Sequence, residues 1–443
     1  TVAYDDNGWL PAATHGWYST MQEYAGIDRK GIYEYGCAAG YRVNVQLRPG
    51  ERLSRPWSNR GLHVNQRDGG APGCLTEKVG EGGLRYAPKH GDLAPGRVGN
   101  GVHEWRVPLA TKALARVALT CDGLANAGGG VGLADAKQPG VLVLRMPSSY
   151  VFLAGAATID AVLPAGGSIA VELSDNNGLA WKPVATVDAS GERVLALDDL
   201  IFRRYDYRLR LTFSGKGTTL KALTLRHDVQ HSQRALPALA KGDNAVSFTS
   251  GDEGTITVMG SPHDNGGRNV RFADFNPTLT GIAMERLQPE GGSGTLTVPI
   301  ATPGDLKRLR IGAHYRARDE RDGYDVSASF DDAKTWVKIG RLAGPIAGNS
   351  VTLTCAEVPK GTRAALVRLD GQQRNTSCIF DLRIDADYVE PAHGFTPLKV
   401  TYIWEEDGVE KRDEHVASKP SDTWTIRCAA APVMKDLIVE QAP

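Results

Sequence analysis

Long apolar runs are absent from this sequence. Nothing in its 443 residues approaches 18 consecutive apolar residues, so it predicts no membrane-spanning helix. An excess of one charge is absent too: 51 Lys plus Arg balance 51 Asp plus Glu. A nucleic-acid-binding chain carries a basic surplus and an acidic solvating chain the opposite, so both classes are set aside. Cysteine is sparse, at six residues, with no CxxC pair and no His at ligand spacing from any of them, which argues against a structural zinc site. Helical periodicity is also scarce. The best helical segment is Leu109 to Leu119, and it turns β-branched toward its end.

What the chain has is glycine, 51 residues of it, often beside Asp, Asn or Pro, as turn-rich β proteins require. Between those turns the hydrophobic period is two. Val141 to Met146 and Ser168 to Leu173 read as strands. Tyr207 to Phe213 alternates most cleanly, with Tyr, Leu, Leu and Phe on one face and Arg, Arg and Thr on the other. With 41% hydrophobic residues and eight Trp, the composition is that of a globular protein. The expected fold is all-β and multidomain, built of tandem β-sandwich modules.

An internal repeat organises the second two thirds. Ser174-Asp175-Asn176-Asn177-Gly178-Leu179-Ala180-Trp181 recurs as Ser329-Phe330-Asp331-Asp332-Ala333-Lys334-Thr335-Trp336. Leu209-Arg210-Leu211 is answered by Val367-Arg368-Leu369, and Leu225 to Asp228 by Leu382 to Asp385. The near-constant spacing predicts two sandwiches, residues 141–237 and 297–391. Each is followed by a β appendage, 238–296 and 392–443, and an N-terminal β-rich domain of residues 1–140 has no counterpart.

Three sets of residues are candidates for chemistry or cross-linking. His63, Asn65 and Arg67 alternate along one extended face, with Tyr33, Tyr35 and Tyr41 upstream and His90 and His103 downstream. A polysaccharide lyase uses such residues: Arg or Asn neutralises a uronate carboxylate and Tyr or His removes the proton. Asp319, Asp322 and Asp325, three residues apart around Gly323, offer hard oxygens to a Ca²⁺ ion, while an ordinary Asp-capped hairpin is the alternative. The Asp5-Asp6-Asn7-Gly8 and His263 to Gly267 stretches carry the same pattern more weakly. Cys355 and Cys378 flank two strand-like segments, where a disulfide and buried free thiols are both open.

The Ser-x-Asp-x-Gly-x-x-Trp pattern of Ser174, Asn176, Gly178 and Trp181, and of Ser329, Asp331 and Trp336, resembles the Asp-box hairpin of sialidases and of many extracellular β-sandwich modules. The first copy has Asn176 in the Asp place and the second Ala333 in the Gly place. The resemblance implies a structural hairpin lying away from any catalytic centre. A sialidase itself would need an arginine triad, a Tyr–Glu pair and a propeller, which the wide spacing of the two boxes does not suit. The Leu47-Arg48-Pro49-Gly50-Glu51 turn, Trp57, Gly99-Asn100-Gly101 and Pro147-Ser148-Ser149-Tyr150 resemble uncharacterised exported bacterial proteins of planctomycete-like lineages. Those often carry a transglutaminase-like domain upstream, and the resemblance implies a β-rich region outside the cell.

Together these features predict a secreted or cell-surface, non-catalytic β-sandwich protein that binds glycan or assembles at a surface. The alternatives are a carbohydrate-active enzyme with its site in residues 30–110, and a subunit of a larger extracellular complex. Expected partners are a polysaccharide, a surface glycan or protein subunits, with no nucleic acid and no membrane span. Calcium is the one cofactor the residues suggest.

Overall fold

Alternation decides the strands. In Asp206–Ser214 the side chains of Tyr207, Leu209, Leu211 and Phe213 are buried, while Arg208, Arg210 and Thr212 turn to the other face. The computed structural model describes residues 2–4, 43–45, 47–57, 98–148, 150–201, 204, 206–232, 236–247, 253–260, 262–263, 271–272, 277–389, 397–419 and 422–442. Among the described residues about 65% are strand and 4% helix, an all-β, multi-sheet fold.

The first module packs two antiparallel sheets face to face. One runs in the order Lys182–Val187, Ser168–Ser174, Asp206–Ser214, Gly140–Pro147, Ala118–Asp122. The other runs Gly191–Ala196, Val151–Val162, Thr219–Ser232, Val98–Arg106. The second module has the same order throughout. Its first sheet is Val337–Ala343, Gly323–Ser329, Ala364–Gln372, Ser293–Ala301, Thr278–Thr280, and its second is Ile346–Cys355, Leu306–Ala317, Ser377–Val389, Glu253–Gly260.

These orders move the boundaries expected from sequence. The repeat begins at Val98 in one copy and Glu253 in the other, so residues 98–140 do have a counterpart. Val98–Arg106 and Glu253–Gly260 share almost no identities, and only the pairing reveals that they occupy one position. The two small hairpins confirm the match. Gly123 and Gly281 both take left-handed φ, +65° and +64°, and each leaves no room for a Cβ beside the entry to the following strand, at Gly140 and Gly294.

Nor are the expected appendages equivalent. Gly242–Ser247 pairs with Thr423–Cys428, while Glu253–Gly260, Thr278–Thr280 and Ser293–Ala301 belong to the second sandwich. The C-terminal strands Val409–Ala417, Leu398–Glu406 and Val433–Gln441 extend the second sheet of the first module, through Glu51–Pro56 to Val98–Arg106. Their side chains Leu398, Val400, Tyr402, Trp404, Leu437 and Val439 join the core of the first module, whereas the second has a core of its own. The outer strand of this extension, Val409–Ala417, carries Glu410, Lys411, Arg412, Asp413 and Glu414, charges that discourage pairing with another chain's edge.

The predicted helix is shorter than its pattern, Thr111–Val117, with Leu114 its one buried residue. From Ala118 the chain is already strand, because Val117, Leu119 and Thr120 fit a pleat better than a third helical turn. No helix among the described residues is long and apolar enough to cross a membrane.

Trp105 is fully buried where the two halves of the extended sheet meet, and its indole N–H donates to the Pro49 carbonyl at 3.1 Å. Trp105→Ala is expected to cost about 3–5 kcal/mol. Denaturant unfolding of the full chain checks this; a loss below about 1 kcal/mol would mean that the ring is not packed as described.

Candidate functional site

The described residues hold one dense polar cluster inside the first core. It is built by register. His103 on Val98–Arg106 lies directly across from His227 on Thr219–Ser232, and His227 lies across from Gly155. Gly155 supplies the room: a Cβ there would sit 2.7 Å from the His227 ring. Tyr207 approaches from the facing sheet, its hydroxyl 2.8 Å from His227 Nε2. The Nδ1–H of His227 donates to the His103 carbonyl at 3.1 Å, which assigns the tautomer and makes Nε2 the acceptor for Tyr207. Phe152 packs on the His227 ring, with 4.6 Å between ring centres.

The turn before Glu51–Pro56 adds the charges. Glu51 Oε1 takes the His103 Nε2 hydrogen at 2.8 Å, and Arg48 grips both Glu51 oxygens from the other side. The Arg48 guanidinium also lies 3.4 Å over the Trp105 ring and donates to the Arg145 carbonyl. Although burial opposes its charge, Arg48 and His103 hold the Glu51 carboxyl far below the usual carboxylate range. Burial pushes His227 down to about 3, so it stays neutral, and raises Tyr207 well above the ordinary phenol range. Exposure is 4% at His103, 0% at His227 and 2% at Tyr207, so no substrate reaches these groups. The arrangement fixes tautomers and neutralises charge; it does not present a base to solvent.

The second module shows what this cluster replaces. Where the first has the cross-strand pair His103–His227, the second has Val258–Ile384, with Ile311 in the place of Gly155 and Ala365 in the place of Tyr207. The same sandwich therefore closes with a purely apolar layer. Comparing the two repeats along the chain, His227 against Ile384, was the one signal in the sequence that pointed to it. Glu51 and Arg48 carried no such signal, since among the described residues no strand pairs with Glu253–Gly260 in the corresponding place.

Of the residues proposed from sequence for catalysis, Tyr33, Tyr35, Tyr41, His63, Asn65, Arg67 and His90 lie outside the described residues; His103 is within the core. The two hairpins adopt one geometry. In the first, Ser174 Oγ donates to Asn176 Oδ1 at 3.0 Å and accepts the Gly178 N–H at 2.8 Å, while Asn176 Oδ1 accepts the Ala180 N–H at 2.9 Å. In the second, Ser329, Asp331, Ala333 and Thr335 repeat those bonds at 2.9 Å each. Asn177 and Gly178 have φ of +61° and +85°, Asp332 and Ala333 +56° and +66°. Trp181 and Trp336 are only half-buried, each capped by an arginine of the neighbouring strand: Arg210 at 4.2 Å and Arg368 at 3.9 Å.

The three aspartates do not form a calcium site. Asp322 is fully buried and spends its oxygens on five backbone N–H groups, of Arg318, Asp319, Arg374, Asn375 and Thr376. Asp325 pairs with Arg341 and Lys338, and Asp319 faces Arg321 and Arg374. Among the described residues, no three His, Cys, Asp or Glu side chains converge as metal ligands. The candidate disulfide does not form either. Cys355 pairs with Leu309 and Cys378 with Arg316, near opposite ends of Leu306–Ala317. At about 3.3 Å per residue they are about 23 Å apart along that strand, against the roughly 7 Å limit between bridged Cα atoms.

An open cleft of about 240 Å³ lies where the modules meet. Asn177 and Leu179 of the first hairpin form one side; Phe330 and Asp332 of the second hairpin form the other, over a floor that includes Ile300 and Leu366.

No family model matches this chain, and no curated protein does. Among solved structures, it is similar to allantoicase from Saccharomyces cerevisiae, at 10% identity over 58% of this chain and 79% of that one, TM-score 0.17. The VP2 subviral particle of infectious bursal disease virus aligns at 8% identity over 90% and 78%, TM-score 0.21. Isomalto-dextranase from Arthrobacter globiformis T6, solved with panose, aligns at 14% identity over 57% and 35%, TM-score 0.17. At these scores no functional argument passes from them to this chain.

Two outcomes follow. Ala333→Gly is expected to stabilise the chain by about 0.5–1 kcal/mol by relieving a left-handed alanine, read as a higher melting temperature. Replacing His227 by Ala strands the Tyr207 hydroxyl and the His103 carbonyl beside a cavity, with an expected cost of about 2–4 kcal/mol in denaturant unfolding.

Proposed function

We propose that this chain is a non-catalytic β-sandwich protein, secreted or held at the cell surface, that binds glycan in the cleft between its two modules. The cleft is the observation that carries the reading. Its floor is apolar, its rim offers the Asn177 amide and the Asp332 carboxylate, and both modules build it. Sugars are held by this combination: their C–H faces lie on apolar or aromatic surface and their hydroxyls bond amides and carboxylates. Its volume falls below the roughly 300–1,000 Å³ of pockets for drug-sized ligands and suits about one sugar ring at a time.

The charged clusters elsewhere are paired internally. Asp175 is held by Arg204 at 2.6 Å and by Lys182 at 3.1 Å. Arg308 and Arg310 hold the buried Asp387 carboxyl below the usual carboxylate range, against the opposing effect of burial. Each group is neutralised by neighbours rather than poised toward an open surface.

A glycan array probed with the full chain tests the proposal, with Asp332→Gly as the control because glycine accepts the left-handed φ there. Binding to at least one glycan, weakened about tenfold or more in the variant, is the expected result. Binding that the variant leaves unchanged would move the site elsewhere. Release of unsaturated ends from uronate polysaccharides, lost on changing His63 and Arg67 to Ala, would replace this reading with that of an enzyme.

A further inference from the structure

We propose that Asp206 is a proton-operated latch between the two sandwich modules, which dock most firmly when its carboxyl is protonated. This goes beyond glycan binding and does not depend on it.

The latch lies on a sheet edge to which no further strand pairs among the described residues. Glu253–Gly260 is the outermost strand of its sheet, paired on one side to Ser377–Val389. The Thr257 N–H is capped not by a further strand but by Asp206 Oδ2 of the first module, at 3.4 Å. Both residues are buried, Asp206 to 8% exposure. The other carboxyl oxygen, Oδ1, is buried with no hydrogen-bond partner among the described residues. A carboxylate so placed has given up water for one long hydrogen bond.

The groups around it are mixed in sign. Arg145, from the neighbouring Gly140–Pro147, and Arg208, two residues along the same strand, are the nearest cations, with Arg48 beyond them. Arg145 also reaches the second module, 5.4 Å from the Tyr388 ring. Behind Thr257 its hydroxyl donates to Asp385, which is bound by Arg310 and Arg383. Tyr207, beside Asp206, points into the core and does not ionise. Burial outweighs these cations and pushes the Asp206 carboxyl up to about 6.

The sign follows from linkage. An aspartate with a raised pKa in the docked state binds more protons there than when exposed. Docking therefore weakens as pH rises from about 4 to about 6, then stays level. Between those limits the docking constant changes by up to about 100-fold, as two pKa units require.

Hydrogen exchange of the peptide spanning Glu253–Gly260, in the full chain from pH 4.5 to 8 and corrected for intrinsic exchange, reads the latch. Protection is expected to rise on acidification, setting in near pH 6 and reaching about 30-fold at pH 4.5. In Asp206→Asn it should be high at every pH, since the amide oxygen still accepts the Thr257 N–H without a buried charge. Arg145→Gln, which removes the nearest cation, should move this onset to higher pH, and it keeps the test open if the Asn variant fails to fold. A flat wild-type profile, an unchanged transition in Asp206→Asn, or an onset that Arg145→Gln leaves in place would overturn the proposal.

Discussion

Glu51 is the charge on which the interior of the first module depends. Its strand is pinned between Val98–Arg106 and Val433–Gln441, so the carboxylate enters the core at the seam between the sandwich and the C-terminal strands. Alone, a buried carboxylate would cost several kcal/mol. Arg48 neutralises it and His103 donates a hydrogen bond to it, and Arg48 ties the arrangement to Trp105 and to the facing sheet through Arg145 and Met146. One ion pair thereby orders a turn, a sheet seam and the layer between two sheets.

The duplicated module acts as an internal control. Val258, Ile384, Ile311 and Ala365 close the same layer by packing alone. The histidines and tyrosine of the first copy are thus not needed to make this sandwich. Among the described residues they accompany a strand that pairs with the first copy and not with the second, and His103 bonds its carboxylate. The second copy keeps its charges on the opposite face of its second sheet, where Arg308, Arg310, Arg383, Asp385 and Asp387 form a ladder. Both modules bury charge, but on different sides of the same sheet, and the two solutions leave different surfaces to meet between them.

Polar contacts and a largely apolar cleft both contribute to that meeting. Arg145 against Tyr388, Asp206 against Thr257, and the two hairpins around the cleft supply it. Arg208 connects these features, since it adjoins Asp206 and bonds Asn177 at the lip of the cleft. The first module's join to the C-terminal strands is different in kind: a continuous hydrogen-bonded sheet and one shared apolar core.

Period-two alternation in Tyr207 to Phe213 was enough to determine a strand with one buried face, because side chains on a pleated backbone point alternately to its two sides. The paired Ser-to-Trp segments likewise determined two equivalent hairpins, since the bonds that close them are local. Only the tertiary structure decided where the repeat begins, because Val98–Arg106 and Glu253–Gly260 are recognised by their partners and not by their residues. It also decided that Glu51 meets His103, that Asp322 caps two turns instead of holding calcium, and that Cys355 and Cys378 stand apart. Each of these turns on which strands lie side by side, and hydrophobic alternation states which face of a strand is buried but not which neighbour it will have.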